Sequence, residues 1–126
     1  MVILDTSVII DHLRQGKNKN SHLTRLSRTY NKSNFAISVI TIQELYAGQS
    51  TTNVEVEQGI LLLISSLTVL PYTFEVAQLG GEVARDLERP IEFADAVIAA
   101  TAIVNGCQLY TLNKKDFSKI KDLELV

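Results

Sequence analysis

The feature that most constrains this chain is how short and how uniformly apolar its β-forming runs are. Val2-Ile3-Leu4 is three residues long, is bounded by polar residues and has no alternating polar face. A strand of that kind is covered on both sides, as in a parallel sheet with helices above and below it. Phe35-Ala36-Ile37 and Val69-Leu70, the latter stopped by Pro71, read as further strands, and Gln108–Leu112 and Leu123–Leu125 as two final ones. Helical segments separate them. The first starts near Ser7 and carries Val8, Ile9, Ile10 and Leu13; after a polar break over 15–20, Ser21 caps a second, through about Tyr30. Thr41 opens a third through Ala47 with Gly48 as C-cap, and residues 54–66 form a fourth. Residues 73–88 place Val76, Leu79, Val83 and Leu87 on one face, and residues 93–105 are apolar almost all round, which puts that helix inside the packing. The alternation predicts an α/β fold, a three-layer α/β/α sandwich on a short, mostly parallel central sheet. With 126 residues and no repeat or linker, 1–126 reads as one domain.

Charge matters more by position than in sum. The net charge is −2, yet residues 1–32 hold six Lys/Arg against two acids, whereas residues 44–95 hold nine acids against Arg85 and Arg89. A basic arm beside an acidic middle can steer a polyanion toward a cation-binding site; a solvated charged surface has the same composition. No apolar run approaches the length that spans a bilayer, the start lacks a secretory leader pattern, and the single Cys107 excludes an internal disulfide. These point to the cytoplasm.

Four acids share one expected location. Asp5 follows the first strand, Glu44 lies in the first turn of the helix after the second, and Asp116 lies just past the strand ending at Leu112. Asp95 opens the helix that leads into that strand, so its position falls at the same carboxyl edge, where open α/β sheets bind ligands. Asp95 is the only charge in 93–104, and a carboxylate on a buried helix is costly unless paired or bound to a cation. Each acid also has a purely structural role open to it. Asp5 suits the N-cap of the first helix, Thr41-Ile-Gln-Glu44 and Asn113-Lys-Lys-Asp116 have capping-box spacing, and Asp95 suits a helix dipole. Together the four repel one another unless a cation neutralises them, and an all-oxygen set suits Mg²⁺ or Mn²⁺.

In these segments the chain resembles the PIN domain family, in particular the small VapC-type toxins. The matching stretches are Val2–Ser7, Ile40–Gly48, Ala94–Ala102 and Leu109–Phe117, in the family's order and over nearly the whole length. The resemblance implies a metal-dependent endoribonuclease, the toxin of a type II toxin–antitoxin pair, with Asp5, Glu44, Asp95 and Asp116 on the family's acidic positions and the metal on Asp5 and Asp95. Glu92 competes with Asp116 for the fourth place, and Arg89-Pro90 stands where the family usually has Gly. Hydrolysis would leave a 5′-phosphate and a 3′-hydroxyl. Thr6 or Ser7 is placed to orient water or a ligand, Asn113 to bond a phosphate or hold Asp116, and Lys114 and Lys115 to meet RNA. The resemblance also implies a homodimer and an antitoxin whose C-terminal segment packs between the helices at 41–47 and 54–66. The run Ile60–Ile64 has the surplus apolar width for such contacts.

Rival readings are a PIN nuclease of RNA processing outside any toxin pair, a PIN scaffold that binds without cutting, and an Asp-dependent phosphatase or phospho-receiver domain. Retention of all four acids opposes the scaffold. Asp5-Thr6-Ser7 lacks the phosphatase's second Asp two places on, and no strand-borne Asp–Lys pair fits a receiver. His12 and His22 read as surface histidines, Cys107 as a small buried residue before a strand, and Gly80-Gly81 as a site of close helix packing.

Overall fold

The structure is a computed structural model that describes residues 1–16 and 20–126. Most of the expected polar break is seen only at its edges, because Lys17, Asn18 and Lys19 lie outside the described residues. Four strands, β1 (Val2–Leu4), β2 (Phe35–Ser38), β3 (Thr68–Leu70) and β4 (Gln108–Tyr110), form one sheet in the order β3-β2-β1-β4. Every pairing is parallel, with Ile3 beside Ala36 on one side and beside Leu109 on the other.

Period two along these short strands divides the core into two layers. Ile3, Ala36 and Leu109 face a cluster built from α5 (Phe74–Asp86) and α6 (Phe93–Val104). Val2, Leu4, Phe35 and Ile37 face the other way, onto α1 (Thr6–Gln15), α2 (His22–Leu26), α3 (Val39–Ala47) and α4 (Val54–Ser65). Helices thus cover both sheet faces, the three-layer arrangement read from the sequence. Helix α6 is buried from Ala96 to Ala102, which explains why alanine and β-branched residues ring it. Gly80 of α5 meets it closely: a Cβ there would lie 3.5 Å from the Ala96 carbonyl oxygen, whereas one on Gly81 would meet nothing within 4 Å. At 3.5 Å that is an ordinary van der Waals contact, so Gly80 lies against α6 without sterics requiring a glycine there, and Gly81 takes no part in the contact.

Four boundaries differ from expectation, each for a local reason. Helix α3 starts two residues early, because Ser38 rather than Thr41 is its N-cap and accepts from the Ile40 amide at 3.2 Å. Helix α2 stops at Leu26, where Ser27 turns to donate its hydroxyl to the Thr24 carbonyl. Strand β4 ends at Tyr110, because the Leu112 amide leaves the ladder for the Ser7 hydroxyl. The final strand reduces to one parallel bridge, Leu109 to Leu125. Gly48 does follow α3, but at φ −78, a conformation open to any residue. Gly106, at φ +64, is where a glycine is required: it turns the chain out of α6 toward β4. Among the described residues no helix is long and apolar enough to cross a membrane.

Candidate active site

At the carboxyl ends of β1 and β4 a crevice of about 1000 Å³ opens, and Asp5, Glu44, Asp95 and Asp116 all line it, as does Glu92. Each acid reaches it from a different element. Asp5 is the residue between β1 and α1, Glu44 lies in the second turn of α3, and Asp95 lies in the first turn of α6. Asp116 comes from α7 (Lys114–Phe117), the short helix after β4.

Asp5 does two jobs at once. Its Oδ1 accepts from the Thr6 amide at 2.9 Å and so caps α1. Its Oδ2 accepts from the hydroxyls of Ser7 at 2.8 Å and Thr111 at 2.7 Å. The cap and the site are the same carboxylate, so the structural role and the chemical one are compatible. By lone-pair count, Oδ1 with one bond keeps room for a cation.

Glu44 is not held by a capping box. The Thr6 hydroxyl donates to its Oε1 at 2.6 Å, and the buried Thr41 hydroxyl lies 2.9 Å from the same Thr6 oxygen. Since Thr6 has one proton and gives it to the carboxylate, Thr41 is the donor in the second bond. A relay Thr41–Thr6–Glu44 therefore fixes the carboxylate from behind. The second capping box is absent too, since Asn113 makes no side-chain cap bond; its carbonyl accepts from the Asp116 amide at 2.9 Å.

Asp95 is the electrostatic focus. Burial first, then the charges of Asp5, Glu44, Glu92 and Asp116, push its carboxyl up from 3.8 to about 7. The chain thus holds a half-buried acid whose ionisation its own neighbours oppose. Asp116 is exposed and faces Arg89 at 3.9 Å. Among the described residues no three acidic, histidine or cysteine side chains lie close enough to share one ion as they stand. The donor chemistry still fits a hard divalent cation, because every donor is a carboxylate oxygen and the repulsion on Asp95 is what a cation would relieve.

Sequence reasoning missed the positioning hydroxyls of Thr41 and Thr111, although Thr41 stands three residues before Glu44 on one helical face. It also misjudged both histidines. His12 bonds the Ser21 hydroxyl at 2.7 Å and its pKa is lowered, chiefly by burial, while His22 lies 3.4 Å from the Tyr110 hydroxyl. Cys107 is buried ahead of β4, as expected.

The PIN domain family model matches residues 2–123. The chain is 34% identical over 133 residues to Ribonuclease VapC1 of Rickettsia felis, a match covering 99% of this chain and 94% of that one. It is 32% identical over 127 residues to Ribonuclease VapC10 of Mycobacterium tuberculosis, covering 98% and 91%. Among solved structures, DNA-bound VapBC from Salmonella typhimurium superposes with a TM-score of 0.86 at 28% identity, covering 99% of this chain and 96% of that one. VapBC-1 from nontypeable Haemophilus influenzae does so with a TM-score of 0.78 at 29% identity, covering 100% and 97%.

Proposed function

The chain belongs to the PIN domain family, and from that premise we propose that it is the toxin of a type II toxin–antitoxin pair, an endoribonuclease that hydrolyses RNA phosphodiester bonds with Mg²⁺ or Mn²⁺. The observation that carries the reading is Asp95, a half-buried carboxyl in the crevice whose ionisation is opposed first by burial and then by the charges of Asp5, Glu44, Glu92 and Asp116, so that it keeps its proton to about pH 7. A fold tolerates such a cluster readily when it serves to bind a cation.

Asp5 and Asp95 are the residues that would hold the ion, with Glu44 and Asp116 contributing directly or through water. A bound divalent cation supplies Lewis acidity at the phosphodiester and lowers the pKa of the attacking water. The chain's own task is to keep the carboxylates aimed. Ser7 and Thr111 clamp Asp5 Oδ2, and the Thr41–Thr6 relay fixes Glu44. With their hydroxyls so engaged, Thr6 and Ser7 act on the carboxylates rather than on water. Asn113 holds the Asp116 backbone through its carbonyl and keeps its side chain for the phosphate. Hydrolysis leaves a 5′-phosphate and a 3′-hydroxyl.

The exposed α4 leucines support a partner. Leu62 is 75% exposed and Leu61 lies beside it on α4, the helix that together with α3 would receive an antitoxin segment. Val54, also on α4, and the exposed Tyr72, Phe74 and Phe93 leave further apolar surface for a second copy of the chain, and the homodimer is the assembly we propose. The cytoplasm is the compartment that brings toxin, antitoxin and RNA together. The test is cleavage of end-labelled RNA by the purified chain in Mg²⁺ or Mn²⁺. Asp5→Asn, Asp95→Asn and excess chelator should each abolish it, and full activity in any of the three sinks the mechanism.

A further inference from the structure

The connection between α5 and α6 forms one wall of the crevice, and it is pinned at both shoulders. Leu87 and Ile91 pack onto the core, while Glu88, Arg89 and Pro90 between them are exposed. The fixed φ of Pro90 stiffens that short arc. From it Arg89 reaches across to Asp116 on the opposite wall, Nη2 to Oδ1 at 3.9 Å, with side chains 69% and 45% exposed. An ion pair that long and that wet is weak, so the guanidinium is released easily to a better acceptor.

The charge around it says which acceptor. Among the described residues, seven carboxylates line the crevice against three cations: Arg89 on this wall, and Lys115 and Lys119 on the other. A phosphodiester strand entering such a place needs cations where its phosphates pass, and among the described residues that line the crevice Arg89 is the only one on its side. Its planar fork matches two oxygens of one phosphate, which the lysines' point charges do not.

We infer that Arg89 binds a backbone phosphate of the RNA substrate, resting on Asp116 while the crevice is free and exchanging that carboxylate for the phosphate when the strand enters. The strand is then gripped between Arg89 and the two lysines. The exchange also returns Asp116 to the crevice without its counter-charge, so arrival of RNA and release of the fourth acid are one event. The inference rests on the ribonuclease reading.

The experiment uses the full chain and a short fluorescent RNA. In the Asp5→Asn background, where cutting is blocked, Arg89→Ala should weaken binding about tenfold and reduce the slope of log affinity against log salt by about one. Arg89→Lys should keep that slope and lose about threefold in affinity, because the charge stays and the fork is lost. With Asp5 intact, Arg89→Ala should raise KM while kcat stays within about threefold. Unchanged affinity and slope overturn the inference. So does a fall in kcat at constant KM, which would make Arg89 no more than a support for Asp116. A parent chain that neither binds nor cuts RNA overturns the ribonuclease reading and this inference with it. A parent that does both, matched by Arg89→Ala, overturns the inference alone.

Discussion

Replacing Asp95 by asparagine should stabilise the cation-free protein, by an amount that grows as pH rises from about 4 and is complete above about 7. In the unfolded chain this carboxyl loses its proton near the usual 3.8; in the folded chain it keeps it to about 7. Between those values the folded state binds more protons than the unfolded one, so stability falls as pH rises through the window and is lowest above it. The full difference corresponds to about 4 kcal/mol, and because water still reaches this half-buried group, screening reduces the expected cost to about 2 kcal/mol. Asparagine has the shape of the protonated acid and carries no charge to be opposed by Asp5, Glu44, Glu92 and Asp116. Urea unfolding of parent and variant in chelator gives the comparison, with all other titrations cancelling between the two. At about pH 8 the variant should lead by ~2 kcal/mol, and near pH 4 the two should draw together. Added Mg²⁺ should then stabilise the parent and leave the variant unchanged. A gap that does not vary with pH, or a variant weaker than the parent at pH 8, would refute the claim that burial and the neighbouring carboxylates together oppose the charge of Asp95.

Three further outcomes follow from the packing. Thr6→Val leaves Glu44 and the buried Thr41 hydroxyl without their shared partner and should cost ~1–3 kcal/mol, with a matching fall in RNA cleavage; thermal melting and a cleavage assay read both. Gly81→Ala adds a methyl group where nothing lies within 4 Å, inside α5, and should raise stability by ~1 kcal/mol and the melting temperature by a few degrees. Leu62→Glu, on the exposed face of α4, should change stability by less than ~0.5 kcal/mol yet weaken capture by the antitoxin at least about tenfold, as titration calorimetry with the co-expressed partner would record.

The layers and the acids were legible in the residues because both depend on position along the chain. Apolar triplets with no polar face predict a covered parallel sheet, and a lone acid in an apolar helix marks a place where charge has a purpose. What the residues did not disclose were competitions between hydrogen-bond partners. Ser38 and Thr41 are both good caps, and the choice between them depends on Thr41 being drawn to Thr6 across the layer. Strand β4 looked longer than it is because Thr111 and Leu112 have strand character, yet a carboxylate and a serine hydroxyl from β1's far end claim them. Arg89 gave no periodic signal, since its reach to Asp116 depends on how the α5–α6 connection is anchored.

The bond between Thr111 and Asp5 joins residues 106 apart in sequence, and β1 sits in the sheet between β2 and β4. A ribosome delivers Asp5 first and Thr111 nearly last, and parallel pairing at that separation is slow to close. For most of its synthesis the nascent chain therefore carries Asp5 and Glu44 alone, without Asp95, Asp116 or the hydroxyl of Thr111 that clamps Asp5. Toxicity, on this view, begins only with the docking of β4, and the interval before it is time in which a partner already present can be waiting.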